Sequence, residues 1–389
     1  MMRGGGKVIS LSVMLSAANI MGSSGLMVWI DHSIRLNTFF LSAYRPLVLY
    51  LLGLSFGCCA VGWLSYAYRD SVALLILRKH FFLLLCGALL LVCLCLAVGN
   101  GTLVEWLDWV LRLLWGVMSG CTVVLARAML VLPGKACRSQ ANFSILSLAL
   151  ACLPLLIPIG LSLGGFYQRT ASAVVAAGLY LLCMMVVKKI DFEEQEPCIA
   201  YGDNFKYSTI VDIVNLIAIN VCFFLLLMLV PMRVGLGVSG NEISTVYMGF
   251  LLLWVVIGIC CVRAGSMFSE VFRFKTGAGV QCCMLLCCML MVLCQTNGFF
   301  YVVVVLAFLA NMLMQPVLFL ALGRHLKYRT LFFGFQSGVY ILIVCGLLFG
   351  IVYFELGMQY VFGIFWCLAL LSLILSCVSI VRFNDVDGQ

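Results

Sequence analysis

Polar side chains set into long apolar runs are the residues here whose types and spacing suit chemistry. Asp108 and Arg112 stand four apart, so on a helix they share one face and can pair. Arg112 lies about five residues inside the outer end of its run, roughly 7–8 Å at 1.5 Å per residue. A charge at the centre of a membrane span costs about 2.5–3.5 kcal/mol on insertion scales, and less near the surface. Arg112 therefore faces a cavity, snorkels outward, or is neutralised by Asp108. Trp115 follows three residues later and can stack on a ligand or cation, or simply pack. The amides Asn19, Asn215, Asn220, Asn311, Gln315 and Gln336 form a second set. Asn311 and Gln315 share a face just ahead of Pro316, which can kink a helix. Each amide either lines a cavity or bonds one helix to another, the latter contributing about 0.6 kcal/mol.

Proton-coupled movement of a solute needs a group that takes up and releases a proton inside the membrane. The first apolar run contains no acid, and Asp31 comes only at its outer end. Glu105, Asp212 and Glu355 also fall near run ends or outside runs. Asp108 is the first candidate for this role; the alternative is a solvated helix-end charge.

Other chemistries find no support. His32, His80 and His325 lack metal-ligand spacing with a second His or an acid, so neither a metal nor a cofactor is expected. No dinucleotide fingerprint, phosphate-binding loop or nucleophile elbow occurs, which leaves ATP-driven pumping by this chain unsupported. Many of the 21 Cys sit within apolar runs, where Cys packs as a small apolar side chain.

The elements that must hold these residues follow from composition. The chain has 389 residues, 65% of them hydrophobic and 10% charged, with a mean hydropathy of +1.18. Soluble domains carry roughly 25% charge, so a soluble enzyme, a disordered chain and a disulfide scaffold are all excluded. Twelve apolar windows are long enough to span a bilayer: 8–30, 46–66, 74–98, 107–131, 143–166, 170–187, 209–230, 244–262, 277–294, 298–322, 331–353 and 358–381. None alternates with period two, which disfavours a β-barrel.

Charge tests the count. With the N-terminus inside, eighteen of the 23 Lys and Arg fall in internal segments. Only Arg35, Arg45, Arg169 and Arg233 fall outside, and Arg112 stays within a span. Positive loops stay cytoplasmic, so both termini are expected there. A reporter fused after Lys206 or at Gln389 should be cytoplasmic, and one near Gly101 or Asn297 external; reversal at either pair would refute the twelve-span layout.

The polar stretch from Lys188 to Lys206 separates six spans from six. The expected organisation is a first half at 1–187, a linker at 188–207 and a second half at 208–389. Two six-helix halves are an arrangement of secondary transporters. Within the spans, Gly22, Ser23, Ser24 and Gly25 suit close packing of the first helix. Pro154, Pro158, Gly160 and Gly164 suit a bent, closely packed fifth helix.

Particular segments resemble the major facilitator superfamily. Region 46–75 resembles its second helix and following loop, with Gly62, Leu64 and Ser65 fitting G-x-L-S-D-R-x-G-R-R. Tyr66 and Ala67 replace the Asp and Arg of that loop, and Arg69-Asp70-Ser71 replaces its end. Region 112–128 resembles the fourth helix of the Bcr/CflA drug-resistance branch through Arg112, Gly116, Gly120, Arg127 and Ala128, with Trp115 in place of the usual Gln. Region 144–165 resembles the fifth helix of that branch through the Pro and Gly residues just named. The resemblance implies an all-α membrane protein of twelve helices. It further implies alternating-access export of small amphipathic or cationic compounds in exchange for protons, from a monomer in a bacterial inner membrane. Its partners would be a small-molecule substrate, protons and the lipid bilayer, with no nucleic acid. A metabolite uptake carrier or facilitator, and a non-transporting polytopic sensor or assembly protein, are the alternatives.

Overall fold

The computed structural model describes residues 10–19, 21, 40–67, 73–99, 104–130, 153, 156–157, 168–189, 207–234, 240–267, 269–294, 298–323, 329–353 and 358–387. Eleven helices of ten residues or more are present among them. They are α1 (10–19), α2 (Phe40–Ala67), α3 (Ala73–Val98), α4 (Glu105–Leu130), α5 (Gln168–Lys188), α6 (Tyr207–Val234), α7 (Gly240–Met267), α8 (Glu270–Cys294), α9 (Gly298–Gly323), α10 (Arg329–Tyr353) and α11 (Met358–Asp387). The β-branched content of these runs would suit strands in water. In hydrocarbon every backbone group must be satisfied within the segment, so the same runs form helices.

Eight of these helices have the length and apolar character to cross a membrane, and apolar stretches at Ile210–Leu225 and Met248–Arg263 lie in α6 and α7. A helix of 26 residues reaches about 39 Å, beyond the ~30 Å hydrocarbon core. Ten of the twelve expected spans correspond to these helices; of the first, 8–30, only 10–19 and 21 are described, so Gly22, Ser23, Ser24 and Gly25 lie outside the described residues. The span at 143–166, and with it Pro154, Pro158, Gly160 and Gly164, falls outside the described residues apart from 153, 156 and 157. The short ninth span, expected from 277, begins instead at Glu270. Its first two turns carry Arg273, which is buried, and Lys275, which is exposed, charges that a hydropathy window cuts away. Ser269 caps this start, its Oγ accepting from the Phe272 N–H at 3.2 Å.

Small residues set the packing. Lipid tails are as apolar as Leu, so helices associate through close van der Waals contact rather than hydrophobic burial. Gly53 and Gly57 on α2 face Gly116 and Gly120 on α4. A Cβ on Gly116 would run into the Tyr50 carbonyl, and one on Gly57 into the Val117 carbonyl. The pairings rise together in number, so the two helices run parallel. Thiols stitch the same seam: Cys58 Sγ donates to the Gly120 carbonyl at 3.5 Å and Cys121 Sγ to the Gly57 carbonyl at 3.7 Å.

The opposite face of α2 packs antiparallel on α10. A Cβ on Gly334 would lie 2.7 Å from Gly62 Cα and 2.6 Å from the Cys58 carbonyl. Farther along, Ser55 Oγ donates to the Gly338 carbonyl at 2.8 Å. Through α2 and α4, α10 meets a group in which α3 packs on both α4 and α5. On its other side α10 meets α6, which also contacts α7, α9 and α11, while α8 packs on α9 and α11.

Candidate functional site

Polar side chains gather at two places, and in the first every hydrogen bond closes on another protein group. Trp115, Ser119 and Thr122 fall on one face of α4, at spacings of four and three. Facing them are Asn19 of α1, Tyr50 of α2 and Tyr180 of α5, all buried. The Tyr180 hydroxyl is the hub. It donates to Asn19 Oδ1 at 2.9 Å, accepts from Trp115 Nε1 at 3.2 Å and lies 3.3 Å from Ser119 Oγ. Tyr50 donates to the Asn19 carbonyl at 2.7 Å, and Asn19 Nδ2 reaches Thr122 Oγ1 at 3.4 Å. The Tyr50 and Trp115 rings meet edge to face, 5.7 Å apart. Trp115 is thus held by two tyrosines on neighbouring helices. A satisfied buried network of this kind rigidifies its helices. Tyr180→Phe strands Trp115 Nε1 and Asn19 Oδ1, and should cost about 1–3 kcal/mol. A thermal midpoint of the purified protein equal to that of the unmutated chain would refute this role.

One turn before Trp115, Arg112 Nε donates to Asp108 Oδ2 at 2.8 Å, with Arg112 12% and Asp108 26% exposed. The two charges are committed to each other at the start of α4. Of the other acids, Glu105 is exposed, and Asp31 and Glu355 lie outside the described residues, as does Asp70.

The second gathering is on α6, α9 and α11. Asp212 and Asn215 on α6 face a ladder on α11 formed by Ser372, Ser376 and Ser379. Ser379 Oγ donates to Asp212 Oδ1 at 3.0 Å, Ser372 Oγ to Asn215 Oδ1 at 2.8 Å, and Asn215 Nδ2 to Ser376 Oγ at 3.0 Å. The pairs run in opposite numerical order, so the helices are antiparallel. Asp212, a buried carboxylate, is held by a neutral donor on this ladder. One turn beyond, Gln315 Nε2 on α9 donates to Asn220 Oδ1 at 3.0 Å.

Other buried groups in this region are left over. Neither Asn311 Oδ1 nor Nδ2 has a hydrogen-bond partner, and the same is true of Gln336 Nε2 and Trp254 Nε1. Each such group costs about 1–3 kcal/mol when desolvated. Trp254 of α7 stands among aromatic rings: Phe223 of α6 at 4.4 Å and Phe308 of α9 at 4.7 Å, the latter edge to face. Phe308 precedes Asn311 by one turn, and Asn220 precedes Phe223 by one turn. Pro316 lies inside α9 just past Gln315. It cannot donate to the carbonyl four residues earlier, so the helix carries a weak point beside these amides.

Among the residues singled out from sequence, the structure brings Asn19 together with Trp115, Asp108 with Arg112, and Asn220 with Gln315. Gly116 and Gly120 pack on α2, and Gly62 packs on α10. Asn215 belongs to the serine ladder. Gln336 Oε1 accepts from Ser337 Oγ at 3.3 Å. Sequence reasoning missed Tyr50, Tyr180, Ser119 and Thr122, the partner glycines Gly53, Gly57 and Gly334, and the Trp254 cluster. No group of three or more His, Cys, Asp or Glu among the described residues could hold a metal ion.

No family model and no curated protein sequence matches this chain. Solved structures do. The chain is similar to the major facilitator superfamily proton:xylose symporter XylE bound to 6-bromo-6-deoxy-D-glucose, with a TM-score of 0.69 and 11% identity over 97% of this chain and 96% of that one. It is similar to the human organic anion transporter MFSD10, with a TM-score of 0.67 and 14% identity over 95% and 98% of the two chains. The E. coli fucose:proton symporter FucP gives a TM-score of 0.65 and 11% identity over 96% and 98%. The fold is that of the major facilitator superfamily, in a multi-pass membrane protein.

Proposed function

We propose that this chain is a secondary transporter that moves a small molecule across its membrane by alternating access. The observation that carries the reading is the major facilitator fold along nearly the whole chain, at a TM-score of 0.69. The halves at 1–187 and 208–389, joined by the linker at 188–207, rock against each other about the α2–α10 contact. On the orientation the charges imply, Gly62 and Gly334 lie toward the cytoplasmic side and both termini are cytoplasmic. The latch carboxylate and Arg that the family loop carries at the positions of Tyr66 and Ala67 are replaced here. In this reading, close backbone contact of Gly62 with Gly334 helps hold the same side shut.

Two directions of transport have support from different observations. The fourth-helix motif around Arg112 and Gly116 favours proton-coupled export of amphipathic or cationic compounds, as in the Bcr/CflA branch. XylE and FucP are proton symporters for sugars, which favours coupled uptake. Arg112 and Asp108 form the coupling pair in either direction.

Flux into proteoliposomes, with and without an imposed pH gradient, tests the proposal. Gradient-dependent movement is expected. Movement indifferent to the gradient would replace coupling with facilitated diffusion, and no movement across a broad solute panel would overturn the transporter reading.

A further inference from the structure

We infer that Asn311, with Trp254, is the recognition point for an uncharged ligand that carries both a hydrogen-bond donor and an acceptor beside a flat apolar face. The inference rests on the transporter reading above and names the substrate class of its site. Asn311 is 2% exposed and Trp254 4% exposed, yet both amide atoms of Asn311 and the indole N–H of Trp254 lack hydrogen-bond partners. Buried polar groups are nearly always satisfied, so each orphan calls for a missing partner; others occur on α5, α8, α10 and α11, and what sets Asn311 and Trp254 apart is the group of aromatic rings beside them.

The surroundings specify that partner. Asn311 Oδ1 calls for a donor, while Asn311 Nδ2 and Trp254 Nε1 call for acceptors. Phe308, one turn from Asn311, meets Trp254 edge to face, and Phe223 completes the aromatic group. Aromatic walls with a few placed polar groups are the usual lining of a small-molecule site. Asn220 and Gln315, bonded to each other at 3.0 Å, border this group on α6 and α9. None of the six side chains named here is charged, and the buried Arg273 of α8 lies on the side of Cys261, two turns from Trp254 on α7. Arg112 is paired with Asp108 on α4, and Asp212 is bonded to Ser379 on α11. The contrast with the tyrosine hub is direct: there every polar group is closed by protein, here three atoms are held open.

Two variants and three probes test the assignment in purified protein. Phenyl glucoside, benzoate and benzyltrimethylammonium share one ring but are neutral, anionic and cationic. The neutral probe should raise the thermal midpoint of the unmutated protein by about 2–4 °C, and the charged pair should not. Asn311→Leu, which removes the orphaned amide, should raise the ligand-free midpoint and abolish the shift given by the neutral probe. Trp254→Phe keeps the ring packing, deletes the N–H, and should reduce that shift. Asn311→Leu that lowers the midpoint, with no probe shift in the unmutated protein, would mean the amide holds an ordered water only and would overturn the inference. So would a shift from a charged probe alone, a shift unchanged in both variants, or the absence of a neutral-probe shift whatever the midpoint of Asn311→Leu. Binding as expected without flux would overturn the transporter reading and leave the site standing. Normal flux with unchanged KM in Asn311→Leu would overturn the site and leave the transporter standing.

Discussion

Gly116→Val is expected to leave almost no folded protein in the membrane. A Cβ at this position runs into the Tyr50 carbonyl, and its next neighbours are the Leu54 amide at 2.9 Å and the Tyr50 carbonyl carbon at 3.0 Å. All three are backbone atoms of α2, so no side chain can rotate aside. Overpacking a core that can adjust costs about 1–3 kcal/mol; here the two helices must separate. Separation breaks the reciprocal bonds of Cys58 and Cys121 and pulls Tyr50 from Asn19 and Trp115. Gly178, by contrast, has nothing within 4 Å of its added Cβ, and Gly178→Ala should be tolerated. Size-exclusion profiles of fluorescent fusions compare the two. A sharp monodisperse peak for Gly116→Val at normal yield would show that α2 and α4 do not need this contact.

The second large effect is on flux. Arg112→Ala should lower transport at least tenfold while the protein still reaches the membrane, because the site sits at the start of α4 rather than in its packed seam. Lys should rescue only in part, since it keeps the charge but loses the planar fork of donors. Asp108→Asn should remove the pH dependence of flux, because the amide keeps the shape but cannot ionise. It also leaves Arg112 without the carboxylate 2.8 Å away, so the double neutral replacement should insert better than either single one. Normal flux in Arg112→Ala would reduce the pair to a structural ion pair. A flux–pH profile in Asp108→Asn like that of the unmutated protein would move the proton elsewhere, with Asp212 next in line.

Span positions were legible because hydrocarbon imposes a length and an apolar threshold that composition alone reports. The expected 298–322 and 331–353 differ from Gly298–Gly323 and Arg329–Tyr353 by two residues at most. Pairing between helices was legible only where spacing marks a face. Asn311 and Gln315, four apart, do share one. Gly53-x-x-x-Gly57 and Gly334-x-x-x-Gly338 carry the same close-packing signal as Gly116-x-x-x-Gly120 and could have been read with it. So could Ser372, Ser376 and Ser379, whose spacings of four and three set a polar stripe on an apolar helix. The tyrosine hub was not readable. Tyr50 and Tyr180 count as apolar in any hydropathy window, and no local pattern tells that residues 130 positions apart in sequence meet at one asparagine. The Trp254 cluster was hidden for the same reason: its rings come from three helices and each looks like ordinary packing.

The α2–α10 contact has a thermal consequence. A contact between long side chains, once opened, returns rotamer freedom to each of them, and that entropy offsets part of the lost attraction. Glycine has no side-chain rotamers to regain. Where Gly62 and Gly334 part, dispersion contact is lost with little entropic return, so the barrier to opening is mainly enthalpic. On the proposed transporter reading, in which this seam parts in every cycle, turnover should rise steeply with temperature.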